Sequence, residues 1–245
     1  MTTDRWLRRY GEPGEPTVRL VCLPHAGGSA SYFFPLARAL PAHVEVFAVQ
    51  YPGRQDRFTE PCIDDVGVLA EHLAPVLAAR RDLPLVLFGH SMGATVAFEI
   101  ARRLVDTAGP PAGLVVSARR APSRHRATGI HLLDDAGLLA ELSRLNGTDA
   151  AVLDDPELIQ LVLPAIRNDY KAAETYRYVP GPPLPVPIVG ICGDSDPRLT
   201  PDDVAAWRVH TTAGFTLRVL PGGHFYFGAD PAALAEIIAG VALQG

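Results

Sequence analysis

Cysteine is scarce in this chain, basic tails are missing and no apolar run is long, and each shortage removes a class of protein. The 245 residues contain 3 cysteines, Cys22, Cys62 and Cys192, an odd number without CxxC spacing. Two of them sit inside apolar, strand-like runs, where a small buried thiol is expected rather than a disulfide or a metal ligand. The net charge is −5, with no run of like charges, so there is no basic field for DNA or RNA and no nucleic-acid partner is expected. The opening residues Met1-Thr2-Thr3-Asp4-Arg5-Trp6 lack the apolar centre of a secretion signal, and no stretch approaches the length of a membrane span. The chain is therefore expected in the cytoplasm, without membrane association. No internal repeat is present.

What the chain does have is apolar residues, 48% of the sequence, enough for one large core and hence a single domain over residues 1–245. Short runs at Val18–Leu23, Val44–Val49, Leu85–Phe88, Gly113–Ser117, Ile188–Ile191 and Thr216–Leu220 read as strands, most of them continuously apolar as buried parallel strands are. Between them Tyr32–Leu40, Val66–Arg80, Ala94–Val105 and Pro231–Leu243 read as helices. That alternation predicts a mostly parallel sheet with helices on both faces. One connection is too long: about sixty residues follow the strand ending near Ser117, far more than a crossover needs. An inserted helical lid over about residues 120–182 is predicted, with one stripe at Leu138, Leu139, Leu142 and Leu145 and another at Leu158, Ile159, Val162, Leu163 and Ile166. Such stripes bury on the body or roof an acyl-sized pocket. Pro180-Gly181-Pro182-Pro183 gives a stiff return to the sheet.

Gly89-His90-Ser91-Met92-Gly93 stands between an apolar strand and a helical pattern. G-x-S-x-G in that context is the nucleophile elbow of the α/β-hydrolase fold, and it nominates Ser91. A serine hydroxyl needs a base to take its proton and an acid to orient that base, and on this fold they follow in the order Ser, Asp or Glu, His. His224, in Pro221-Gly222-Gly223-His224-Phe225 after the last strand, is the best placed of 8 histidines. Gly193-Asp194-Ser195-Asp196-Pro197 offers two acids. Asp196 is preferred, because Asp194 follows the turn glycine directly and can be used on nearby loop amides. The oxyanion requires backbone donors, assigned to Met92 after the nucleophile and to Ala26 in His25-Ala26-Gly27-Gly28. No metal or organic cofactor is required.

With Pro24-His25-Ala26-Gly27-Gly28, Gln50-Tyr51-Pro52-Gly53-Arg54, the serine elbow and the Gly-Gly-His loop in this order, the chain resembles the type II thioesterases that accompany polyketide and nonribosomal peptide synthetases. It is equally similar in pattern to the medium-chain thioesterase of animal fatty acid synthase. The resemblance implies hydrolysis of acyl groups held on the phosphopantetheine arm of an acyl or peptidyl carrier protein, clearing misprimed or stalled units, and it implies Gly193-x-x-Asp196 as the acid loop. Ala118 stands where relatives usually have glycine. Arg54 and Arg57 suit phosphate, an internal ion pair or a carbonyl clamp, and Arg119, Arg120, Arg124 and Arg126 form a candidate patch for an acidic carrier protein. The aliphatic lid favours short or medium acyl chains, and a monomer is expected. Two rivals share the fold: a carboxylester or lipid hydrolase, and a non-catalytic hydrolase-fold binding module.

Overall fold

The computed structural model describes residues 5–11, 14–145, 155–228 and 230–242. Leu243, the last residue of the expected C-terminal helix, and the opening residues 1–4 lie outside them. The strands are β1 (Leu7–Tyr10), β2 (Val18–Leu23), β3 (Val44–Val49), β4 (Leu85–His90), β5 (Gly113–Ser117), β6 (Ile188–Gly193) and β7 (Phe215–Leu220). They form one 7-stranded sheet in the order β1-β3-β2-β4-β5-β6-β7. All neighbours are parallel except β1 and β3, which are antiparallel.

Both faces of this sheet are covered, and the alternation of side chains along each strand shows how. Leu85 and Leu87 of β4 point into one core with α2 (Val66–Ala78) and α3 (Met92–Thr107), while Val86 and Phe88 point into a second core with α1 (Phe34–Ala39) and the C-terminal helix (Ala232–Ala242). A strand buried on both sides has no polar face to present, which is why its sequence is an unbroken apolar run. The central strands β2, β4 and β5 are buried at every position.

β1 was not predicted. Its sequence, Leu-Arg-Arg-Tyr, carries no apolar run because it is a sheet edge: only Leu7 is fully buried, and Arg8 and Arg9 ion-pair with Asp56 and Glu45. Charge on an edge strand discourages pairing with another chain.

The long connection from β5 to β6 carries α4 (Asp135–Leu145) and α5 (Pro156–Thr175). Asp155 caps α5 by accepting from the N–H groups of Glu157 and Leu158. Leu138 and Leu142 of α4 meet Leu163, Ile166 and Tyr170 of α5 in a small apolar cluster of their own, and Ala26 of the loop after β2 packs against it. The helices of this connection thus bear on the segment that follows the first central strand.

Candidate active site

β4 ends at His90 and α3 begins at Met92, so Ser91 makes the whole turn. Its φ of 53° and ψ of −116° are a conformation that L residues seldom adopt. Only small neighbours permit it: a Cβ on Gly89 would overlap the Gly93 carbonyl, and a Cβ on Gly93 would overlap the Leu23 carbonyl at the end of β2. The Ser91 N–H donates to the Ser117 carbonyl of β5 at 2.8 Å, fastening the elbow to the sheet. Because backbone rather than a flexible side chain stands in the way, Gly93→Ala should destabilise the fold by about 3 kcal/mol. An unchanged urea midpoint would show that the elbow can adapt.

The second half of the constellation comes from the ends of β6 and β7. A Cβ on Gly193 would overlap the carbonyls of Gly222 and Gly223, so glycine there lets the loop after β7 lie directly on the loop after β6. The structure brings the three predicted side chains together. His224 Nδ1–H donates to Asp196 Oδ2 at 2.8 Å, and its Nε2 faces Ser91 Oγ at 3.1 Å. The His224 and Asp196 side chains are buried. Asp196 Oδ1 also accepts from the Arg198 N–H at 2.8 Å, which fixes the carboxylate. Asp194 is used differently: its Oδ1 accepts from the Gly222 N–H at 3.0 Å and ties the histidine loop to β6. Asp196→Asn should lower kcat by about 10⁴-fold, because the wrong imidazole tautomer is then favoured. Asp194→Asn should cost about 1 kcal/mol of stability and little turnover. Steady-state kinetics on both variants checks the order, and the opposite ranking would move the acid to Asp194.

Ser91, His224, Met92 and Ala26 all line one cavity of about 440 Å³. Its wall is mixed, with Met92, Ile130, Leu145 and Leu199 on its apolar part. Arg119, Arg120, Arg126, Arg144 and Arg198 line it, with Glu141 and Glu174. The expected surface patch at Arg119–Arg126 therefore divides. Arg119 donates to Thr95 Oγ1 at 2.9 Å and to the Ala173 carbonyl at 3.1 Å, and Arg120 donates to the Arg198 carbonyl, whereas Arg124 and Arg126 are exposed. Directly after β5, just before these arginines, Ala118 takes a left-handed φ of +48°. Burial, with Arg120 and Arg198 nearby, lowers the Arg119 guanidinium to about 10.

Sequence reasoning left the pairing of Arg54 open and missed its partner. Arg54 makes a bidentate ion pair with Asp169 of α5, at 2.5 and 2.9 Å, inside the protein. Arg57 pairs with Glu60 and lies over the Trp6 ring. The sequence did carry a signal for Asp169: it falls on the buried stripe of its helix, beside Ile166, Tyr170 and Ala173, where a carboxylate needs a partner. Two further histidines flank the site. His25 is pushed down to about 3 by burial and then by His224 and Arg54. His90 is held well below the ordinary histidine range by burial and by the same His224 and His25.

The sheet order, the strained serine and the converging loops define an α/β hydrolase. A thioesterase-domain family model matches residues 18–241, and the chain belongs to that thioesterase family. It is 53% identical over 226 residues to thioesterase PikA5 of Streptomyces venezuelae, covering 90% of this chain and 79% of that one. It is 50% identical to the type II thioesterase BorB from the borrelidin biosynthetic cluster, with a TM-score of 0.92 and 99% of each chain covered. YbtT, a type II thioesterase from the yersiniabactin nonribosomal peptide and polyketide pathway, is 32% identical, with a TM-score of 0.89 and 98% of each chain covered. The resemblance read from the four motifs thus holds across the fold, and the protein is a hydrolase acting on thioesters.

Proposed function

We propose that this thioesterase removes acyl groups from the phosphopantetheine arm of acyl or peptidyl carrier proteins, clearing aberrant or stalled units in polyketide or nonribosomal peptide synthesis. One observation carries the chemistry: Ser91 Oγ, His224 and Asp196 form a continuous hydrogen-bonded chain, with steps of 3.1 and 2.8 Å, at a cavity that the Ala26 and Met92 residues also line. Ser91 gives its proton to His224 and attacks the thioester carbonyl, forming a tetrahedral oxyanion that the amides of Ala26 and Met92 hold. Met92 opens α3, so its amide also lies at the positive end of a helix. His224 then protonates the departing pantetheine thiolate and activates the water that releases the acid, regenerating Ser91.

The arginines of the cavity wall offer countercharge to an anionic phosphopantetheine arm. The segment carrying α4 and α5 is the lid of this reading, and its apolar residues take the acyl chain. No helix among the described residues is long and apolar enough to cross a membrane, and we place the reaction in the cytoplasm with the carrier proteins. The test is intact-protein mass measurement of acylated carrier proteins before and after treatment with the wild type and with Ser91→Ala. The acyl mass should disappear only with the wild type. Faster cleavage of p-nitrophenyl esters than of acyl carrier protein would overturn the substrate assignment.

A further inference from the structure

The loop that carries the Ala26 amide is gripped on both sides, and one grip comes from the lid helix. From the segment after β3, Gln50 Oε1 accepts from the Ala30 N–H at 3.0 Å and Arg54 Nη1 donates to the Gly28 carbonyl at 3.1 Å. From α5, Asp169 Oδ2 accepts from the Gly27 N–H at 2.8 Å while both its oxygens hold Arg54. Asp169 is 1% exposed and Arg54 8% exposed. The approach is close as well: Gly27 has φ +79°, and a Cβ there would stand 2.6 Å from Ile166 Cγ1 of the same helix.

The Gly27 amide belongs to the peptide unit that follows Ala26. The unit before it, which carries the Ala26 N–H, is joined to it only through the φ and ψ rotations at Ala26, and it is held at its other end because its His25 carbonyl accepts from the Gly28 N–H at 3.0 Å. A donor aimed in advance at the developing oxyanion is worth far more than one that must reorient. We infer that Asp169 is a positioning residue for the reaction, a carboxylate on the lid helix that sets the oxyanion donor of the loop after β2 through Gly27 and Arg54. The inference rests on the assignment of Ala26 as a donor.

The test compares kcat, KM and the inhibition constant of a trifluoromethyl ketone, which forms a tetrahedral adduct with the serine. Wild-type hydrolysis and inhibition establish the underlying reading; without them that reading fails, and this inference with it. Removing one charge alone strands its partner, so the informative variants are double. Arg54→Leu with Asp169→Leu removes the pair and the acceptor together and should lower kcat by about 10²-fold, weaken the inhibitor by a similar factor and leave KM within about threefold. Arg54→Gln with Asp169→Asn keeps an oxygen that can accept from Gly27 and should recover at least tenfold of the lost kcat. The inference is overturned if wild type is active and the leucine pair keeps kcat within threefold. It is equally overturned if the loss lies in KM with inhibitor binding unchanged, or if the Gln/Asn pair is no better than the leucine pair. Should the leucine pair fail to fold, the Gln/Asn pair is compared with Arg54→Gln carrying Asp169→Leu, which lacks the acceptor, under the same criteria.

Discussion

Ser91→Ala should reduce kcat on an acyl carrier protein by about 10⁴- to 10⁶-fold, and His224→Ala should cost about as much. The reason is the unit they form. In the proposed mechanism Ser91 Oγ is a weak nucleophile until His224 Nε2, 3.1 Å away, accepts its proton. With either one gone, the other has nothing to act on. The double variant should therefore be no slower than the slower single one, a marked failure of additivity that residues acting independently would not show. What survives should come from the oxyanion donors and from substrate binding, since neither substitution touches Met92 or Ala26. KM should change little, because the hydroxyl and the imidazole act on the reacting carbonyl rather than on the arm or the chain. Single-turnover kinetics would check this, together with labelling by a fluorophosphonate, which should modify the wild type and neither variant. A Ser91→Ala enzyme within tenfold of the wild type would remove the serine from the mechanism, and an unlabelled wild type would favour the non-catalytic rival.

What could be read from the sequence divides along a physical line. The elbow was legible because its demand is local: a serine at φ 53° needs glycine two residues away on each side, and that need is written within five positions of chain. β2, β3 and β5 were legible to the residue because burial on two faces leaves mainly apolar runs, broken in β2 and β3 only by Arg19 and Glu45, which pair with each other across the two strands. β1 was not, because an edge strand with one buried residue and paired arginines resembles a polar loop. The arginines of the cavity wall were not legible for a related reason. Helical periodicity finds the leucines of α4 and α5 that face one another, but it does not report that Arg119 and Arg120, directly after β5, line the same cavity as Ser91. The Arg54–Asp169 pair spans 115 positions, and only the fold brings its ends together.

Acidification should destabilise this protein early, because two of its buried imidazoles have no place for a second proton. His25 and His90 pack with Tyr32 and Phe225, and His90 also with Phe227. His90 Nδ1 pairs with Ser117 Oγ at 2.8 Å, but its Nε2 and the Nδ1 of His25 have no partner among the described residues. Protonation would add a buried charge and an N–H without an acceptor, beside His224 and, for His25, Arg54. The folded state therefore binds these protons only at much lower pH, near 3 for His25, whereas the unfolded chain takes them up near 6.5. Between those values the unfolded state holds more protons, so stability falls as pH falls, by up to about 1.4 kcal/mol per pH unit for each imidazole. Two units below 6.5 His25 alone costs about 2.7 kcal/mol, a large share of the stability of many domains, and His90 adds to it in the same direction. Urea denaturation at pH 7.5, 6 and 5 measures the slope. His25→Phe keeps an aromatic ring against Tyr32 and Phe225 and should make the slope shallower. A stability that stays level from pH 7.5 to 5 would mean that these rings accept protons in the folded protein.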